Sequence, residues 1–175
     1  AAAYALAAPE ARIDSEQVRR EKARVYAPLQ KQQRSIGWKE LNAGIARVMQ
    51  TYCGEYKSEA ALQEGLRILG EIRETEAAAV YAANPHDLAH AVECLAIITA
   101  GEAIIQAALA RQASSRLLSF FRLDYPEIDP EAWRKLLSIR LADGTVSVRD
   151  LPLDYYLRPP FALAFEENYL LHCAM

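Results

Sequence analysis

Apolar side chains recur at helical spacing along most of the chain, up to about residue 137. The segment that begins near Trp38 and ends near Gly54 carries one such stripe, formed by Leu41, Ile45, Val48, Met49 and Tyr52. Ser58 is expected to cap the next helix, whose stripe is formed by Leu62, Leu66, Leu69 and Ile72. Residues spaced three and four apart share one helix face, so the pattern predicts two amphipathic helices.

A charged helix is predicted before this pair. Asp14 and Ser15 precede a segment with acidic residues at its start, which indicates a helix over about 15–33. Pro28 should bend or divide it. Its surface is basic, and two interpretations remain open: a solvated face or a docking face for an acidic partner.

A long apolar helix is predicted after the pair. Asn84 followed by Pro85 is typical of a helix start. The segment 92–109 is apolar almost all round, with one narrow polar stripe of Thr99, Glu102 and Gln106. We therefore expect this helix at the centre of a bundle.

The pattern changes after residue 122. Asp129 and Pro130 predict the cap and first residue of a short helix that runs through Trp133 and Leu137. The sequence SIRLADGTVSV then alternates about Asp143 and Gly144, which predicts a hairpin. The tail that follows is rich in proline and aromatic residues and is expected to lie along another surface.

These elements predict an all-α fold class. The expected architecture is an antiparallel bundle of three to four helices, followed by a short helix, a small β-hairpin and an irregular tail. Residues 1–13 are expected to form a flexible or poorly defined N-terminal segment, residues 14–137 the helical bundle domain, and residues 138–175 a hairpin and tail that pack on the bundle or on a missing domain.

Composition narrows the class of protein. The 175 residues are 52% apolar and 25% charged with a net charge of -3, which is typical of a globular domain and gives no signature of nucleic-acid binding. The apolar run 95–110 is interrupted and short for a membrane span, so no direct membrane insertion is expected. Three widely spaced cysteines favour a reducing compartment, and hence a cytoplasmic location.

Candidate chemistry is sparse. His86, His90 and Cys94 share one helix face and could hold a metal, but no fourth ligand is evident, and helix-start and core roles are favoured. Glu102 requires a hydrogen-bonding partner, such as Trp, Tyr or Arg, if it is buried. The sequence contains neither GxGxxG nor GxxxxGK[ST], so it predicts no nucleotide-phosphate site. No catalytic, cofactor-binding or metal-ligating set is therefore assigned.

The stretch SFFRLDYPEIDPEAW, residues 119–133, concentrates polar and aromatic residues after the long helix. Tyr125 before Pro126 favours an extended backbone. Arg122 and Asp124, two apart on an extended segment, should point the same way and pair with each other or with a neighbour. We expect a structural corner in which Trp133 packs back onto the bundle.

The order of these features resembles the C-terminal helical domain of the flavoprotein subunits of succinate dehydrogenase, fumarate reductase and adenylylsulfate reductase. The resemblance covers about residues 36–150 and depends on MQTYCGEYKSEAALQEGLRIL, ALARQASSR and RLDYPEIDPEAW. Leu117 stands where the family has glycine, and no glutamate precedes Ser115. The residues that match the family motif are Arg111, Ser115, Arg116, Arg122, Asp124, Tyr125, Pro126, Asp129 and Trp133.

The resemblance implies an FAD-binding domain and a capping domain ahead of this segment, which would carry the flavin and most catalytic groups. It implies that this chain alone holds no cofactor, that FAD belongs to the full-length protein, and that an iron–sulfur subunit is a candidate partner. The implied work is to buttress the flavin domain and to help dock that subunit. The alternative is a free-standing helical bundle that acts as a protein-interaction module.

Overall fold

The computed structural model describes residues 13–31, 35–142, 145–153 and 167. Most of these residues are helical. The five helices of this part of the chain are α1 (Ser15–Tyr26), α2 (Trp38–Tyr52), α3 (Glu59–Glu74), α4 (Glu76–Ala79) and α5 (Pro85–Ala110). Two short 3₁₀ turns, Ala27–Gln30 and Glu131–Trp133, and four strands complete the fold: β1 (Tyr56–Lys57), β2 (Phe121–Arg122), β3 (Leu136–Ala142) and β4 (Thr145–Leu151).

Side-chain caps start α1, α3 and α5 where the sequence predicted. The Asp14 carboxylate accepts hydrogen bonds from two backbone amides of α1, and the Ser58 hydroxyl accepts one from Ala61 N at 3.3 Å. Asn84 Oδ1 accepts one from Asp87 N at 2.9 Å. Pro28 divides the first helix as expected, because the α-helix ends before it and continues as a 3₁₀ turn. Residues 32–34 of the predicted helix lie outside the described residues.

The core is a bundle of α2, α3 and α5, in agreement with the predicted stripes. A short connection joins α2 to α3, so these two helices run antiparallel. Both pack on α5. Their central apolar side chains are almost fully enclosed; examples are Leu41, Ile45, Leu62, Leu69, Ile98 and Ile105. The α1 helix contributes no buried residue.

Two glycines allow the three helices to approach closely. A methyl group on Gly65 would lie 2.7 Å from Tyr52 Cβ on α2, and one on Gly101 would lie 3.2 Å from Leu69 Cδ1 on α3. Contacts below about 3.0 Å cannot be accommodated without moving a helix, so Gly65 sets the spacing between α2 and α3.

The position of α5 differs from the prediction. One side of the helix is buried by α2 and α3, but Ile97 and Ile104 on the other side are 43% and 54% exposed. Two helices can cover only part of a third, so α5 lies at the edge of the described bundle and not at its centre. By length and composition α5 is long and apolar enough to cross a membrane, which differs from the expectation based on the apolar run 95–110. A core helix of a protein outside a membrane can meet the same criteria of length and composition. The α5 helix packs against α2 and α3 along one side.

The predicted short helix after Asp129 forms but ends earlier than expected. Only the 3₁₀ turn Glu131–Trp133 forms, and Leu136 already belongs to β3. Asp129 has φ 48°, in the left-handed region, whereas an N-cap needs an extended backbone. Pro130 occupies the cap position, and pairing of β3 with β4 takes the residues that a longer helix would need.

The hairpin is confirmed. Strands β3 and β4 are antiparallel, with Leu136 opposite Leu151 and Ala142 opposite Thr145, so the connection falls at Asp143 and Gly144 as predicted. Those two residues lie outside the described part of the chain, as do residues 1–12, 154–166 and 168–175. The predicted domain boundaries and the packing of the tail stay predictions.

Candidate functional site

The C-terminus of α5 is closed by one buried arginine. The Arg122 side chain is enclosed, and its Nη1 donates hydrogen bonds to the carbonyl oxygens of Ala108, Leu109 and Arg111 at 2.6, 3.3 and 2.9 Å. The last carbonyls of a helix have no intrahelical donor and carry partial negative charge. Arg122 therefore satisfies these acceptors with a cation, at the end of the helix where the dipole favours one.

The same guanidinium forms the predicted pair with Asp124. Nε and Nη2 donate to the two carboxylate oxygens at 2.8 Å each, which is the two-pronged geometry of the stronger arginine–carboxylate pairs. The second oxygen also accepts a hydrogen bond from the backbone N–H of Glu59 at 2.7 Å. Glu59 is the first residue of α3, so the pair joins the C-terminus of α5 to the N-terminus of α3.

This arrangement stabilises the charged form of Asp124. The Arg122 hydrogen bonds, reinforced by the Glu59 amide, lower the pKa of its carboxyl group from 3.8 to about 2. The centre of the Tyr125 ring lies 4.9 Å from the Arg122 guanidinium carbon. Every guanidinium nitrogen has an acceptor, so the group acts as a clamp between two helices.

Ser114 holds the backbone of the corner together. Its hydroxyl lies 2.8 Å from the carbonyl oxygen of Tyr125 and accepts a hydrogen bond from Arg122 N at 2.9 Å. Its own backbone pairs with Glu127 O and Asp129 N. Strand β2 adds a parallel pairing with β1, which joins the corner to the connection between α2 and α3. The sequence interpretation did not single out Ser114, because a lone serine carries no signal without its neighbours.

The remaining motif residues fall into three environments. Ser115 is buried and pairs with Phe120 across a tight turn, at whose tip Leu117 and Leu118 are 91% and 62% exposed. Arg116 lies on this turn, and its backbone N–H donates to the Asp129 carboxylate at 3.2 Å. Hydrogen bonding to Ser115, followed by the Arg116 amide, lowers the pKa of Asp129.

Trp133 and Arg111 lie close to each other, and Arg111 directly follows the last residue of α5. Trp133 is half-buried, not buried, with the Arg111 guanidinium carbon 5.8 Å and Lys135 Nζ 4.2 Å from its ring. Pro126 is exposed. The structure therefore brings Arg122, Asp124 and Tyr125 into one cluster and spreads the other motif residues around it.

The histidine–cysteine row on α5 has other contacts. The His90 ring stacks on Trp38 at 4.2 Å and its Nδ1 lies 2.7 Å from Glu93, while His86 meets the edge of His90. Cys94 is buried, with its Sγ 3.5 Å from the Trp38 carbonyl oxygen. Across the described ranges no three His, Cys, Asp or Glu side chains are placed to hold a metal ion.

Glu102 has the kind of partner that the sequence required. Arg73 on α3 donates to both carboxylate oxygens, at 3.1 Å from Nε and 2.5 Å from Nη2, and also contacts the Thr99 hydroxyl. The polar stripe of α5 thus joins the helix to α3.

Comparison with known proteins assigns the fold to a family. Residues 42–162 match the family model described as the C-terminus of the fumarate reductase flavoprotein. This match covers more than half of the chain. The chain belongs to this family. No curated protein sequence matches it.

Solved structures agree on the fold. Adenylylsulfate reductase from Archaeoglobus fulgidus superposes on 82% of the chain with a TM-score of 0.75 and 21% identity. The Mycobacterium smegmatis Sdh1 complex gives 86%, 0.69 and 24%, and the E. coli quinol fumarate reductase chain FrdA gives 86%, 0.66 and 20%. The chain spans about a quarter of each of these proteins, 25%, 26% and 27% of their length respectively.

Proposed function

We propose that this chain is the C-terminal helical domain of an FAD-dependent oxidoreductase and that it buttresses the flavin-binding part of the same polypeptide. The observation that carries the proposal is the uncharged outer face of α5, formed by Ala96, Ile97, Ala100, Ala103 and Ile104 and called the α5 face below. All five residues are exposed. Apolar surface of this kind on an otherwise packed helix is typical of an interface.

The preceding part of the flavoprotein is the best candidate to cover the α5 face. Family membership makes a larger flavoprotein the context of this domain, and the chain corresponds to only about a quarter of the related structures. Alanines between two isoleucines let a second backbone approach closely, and the face carries no charge that an apolar partner would have to desolvate. A free-standing interaction module, the alternative, would be expected to enclose Ile97 and Ile104.

The upstream part of the polypeptide is a better candidate to bind FAD than this helical domain. Dinucleotides bind where a glycine-rich loop leads from a parallel strand into a helix. The strands described in this chain form only two two-stranded sheets, and β1 and β2 lack such a loop. The flavin chemistry of the oxidoreductase, docking of an iron–sulfur subunit, and a cytoplasmic location are parts of the same proposal.

The test is to express the upstream part of the natural polypeptide separately and measure its binding to this chain. Ile97→Glu should raise the Kd about 10-fold to 100-fold, because burying an isoleucine is worth about 1.5–3 kcal/mol and each 1.4 kcal/mol is tenfold. Val18→Glu is the matched control, since Val18 is an exposed apolar residue of α1. Equal binding by both variants, or an upstream sequence without a dinucleotide fingerprint, would contradict the proposal.

A further inference from the structure

Two cations lie beside the Phe120 ring without a carboxylate partner. Lys57 is only 5% exposed; its Nζ donates to the Glu55 carbonyl oxygen at 3.0 Å and lies 4.1 Å from the centre of the ring. The Arg111 guanidinium carbon lies 5.8 Å from the same centre, and its buried Nε has no hydrogen-bond acceptor. Neither cation takes part in an ion pair with any residue that the structure describes.

Both side chains line one cavity of ≈ 320 Å³ at the junction of α5 with the corner and the hairpin. The other walls are apolar or weakly polar and include Cys53, Ile104 and Leu137. Burial, the largest effect, lowers the pKa of Lys57; Cys53 acts in the opposite direction, the nearby Arg122 cation acts in the same direction as burial, and Glu55 opposes it. Two positive charges in such surroundings are costly unless an anion pairs with them.

We propose that Lys57 and Arg111 form a binding site for a carboxylate. The lysine ammonium supplies a compact charge, and the arginine supplies a planar donor group whose geometry matches the two oxygens of a carboxylate. The mainly apolar walls lower the polarity around the two cations, which strengthens both interactions. The Phe120 ring sits against both cations and fixes their positions.

Two sources can supply this carboxylate, and the chemistry of the site is the same for both. Ile104 belongs to the cavity and to the α5 face, so a segment that covers this face can place an aspartate or glutamate side chain in the cavity. This source depends on the proposed function. A small free carboxylate can enter by the same opening, and that source does not depend on it.

The sign of a stability change tests whether the cations are paired. Lys57→Met in the natural full-length polypeptide should lower Tm if a carboxylate is bound, because the carboxylate then loses one of its two cations. A raised Tm for the same substitution would show that the buried ammonium is unpaired and would overturn the proposal. Arg47→Met is the control, since Arg47 is an exposed cation of α2 with no ion pair among the described residues, and it should leave Tm unchanged.

Carbodiimide coupling identifies the source. The reagent activates a carboxylate, which forms an amide with an amine in contact with it as the reagent takes up the elements of water. A peptide of the polypeptide joined to Lys57 would show an internal carboxylate; acetylation of Lys57 that rises with added acetate would show a free one. Arg111→Met should abolish either product. Mass spectrometry that finds neither product would overturn the site.

Flavin content, measured on the same preparation, separates this inference from the proposed function. A full-length polypeptide that carries FAD but yields neither product overturns the carboxylate site and leaves the proposed function standing. A polypeptide without FAD whose Lys57 is acetylated at added acetate supports the site and contradicts the proposed function.

Discussion

The bundle and the corner are stabilised by different kinds of contact. In the bundle, apolar side chains such as Leu69 and Ile98 are fully enclosed, and the Arg73–Glu102 pair adds a partly exposed polar contact between α3 and α5. In the corner, residues 111–133, the enclosed side chains include Ser114, Ser115 and Arg122, each 1–2% exposed. The bundle depends on many interchangeable contacts, whereas the corner depends on a few polar groups whose loss leaves others unpaired.

Arg122→Met should have the largest effect. It removes the donors for two carbonyls of α5 and for that of Arg111, and leaves Asp124 without its partner; breaking a buried ion pair costs about 3–5 kcal/mol. Denaturant unfolding of the chain measures the loss. Arg122→Lys keeps the charge but not the planar donor set, so it should recover only part of the stability. Full stability in Arg122→Met would show that the clamp does not hold the corner.

Leu69→Ala tests the bundle in the same assay. Leu69 is fully buried between α3 and α5, and truncating a buried leucine costs about 2–5 kcal/mol, depending on how far the cavity collapses. Leu69→Met keeps most of the volume and should cost less than about 1.5 kcal/mol. A small loss of stability for Leu69→Met, beside a large loss for Arg122→Met, would strengthen the contrast between the bundle and the corner. Equal losses for the methionine and alanine variants would weaken it.

Asp124 should make the stability of the corner pH-dependent in a predictable direction, and Asp124→Asn should remove that dependence. The loss of charge-assisted hydrogen bonds should cost about 1.5–3 kcal/mol at neutral pH. Because the pKa falls from 3.8 in the unfolded chain to about 2 in the folded one, this stabilisation is complete above pH 3.8. It is lost as the pH decreases through about 2.

The Tm difference between the parent chain and Asp124→Asn, measured from neutral pH downwards, should therefore stay constant and then shrink through that window. Asp150→Asn is the control, since Asp150 forms an exposed ion pair with Lys135 in the hairpin. A difference that grows on acidification would contradict the assigned pair.

The two regions were also unequally predictable from the sequence. The burial of Leu41, Ile45 and Val48 could be predicted from the sequence, because helical spacing fixes which side chains share a face. Arg122 and Asp124 could be paired from their spacing, but their links to α5 and Glu59 join residues distant in sequence. No local pattern contains such a contact, and the exposed side of α5 was missed because an all-apolar helix does not show which neighbours it has.

Asp129→Ala should have the smallest effect and separates the observed role of Asp129 from the predicted one. A non-glycine residue at φ 48° is strained by about 1–2 kcal/mol, and alanine lacks the side-chain contacts that offset this strain in aspartate. We expect a loss of about 1 kcal/mol, with Asp129→Gly less affected because glycine adopts this backbone freely. Hydrogen exchange distinguishes the observed role from the predicted one. Both variants should speed exchange of the Arg116 amide, because its hydrogen-bond acceptor is the Asp129 carboxylate. Faster exchange confined to the amides of Ala132 and Trp133 would instead support the predicted role of Asp129 as a helix N-cap.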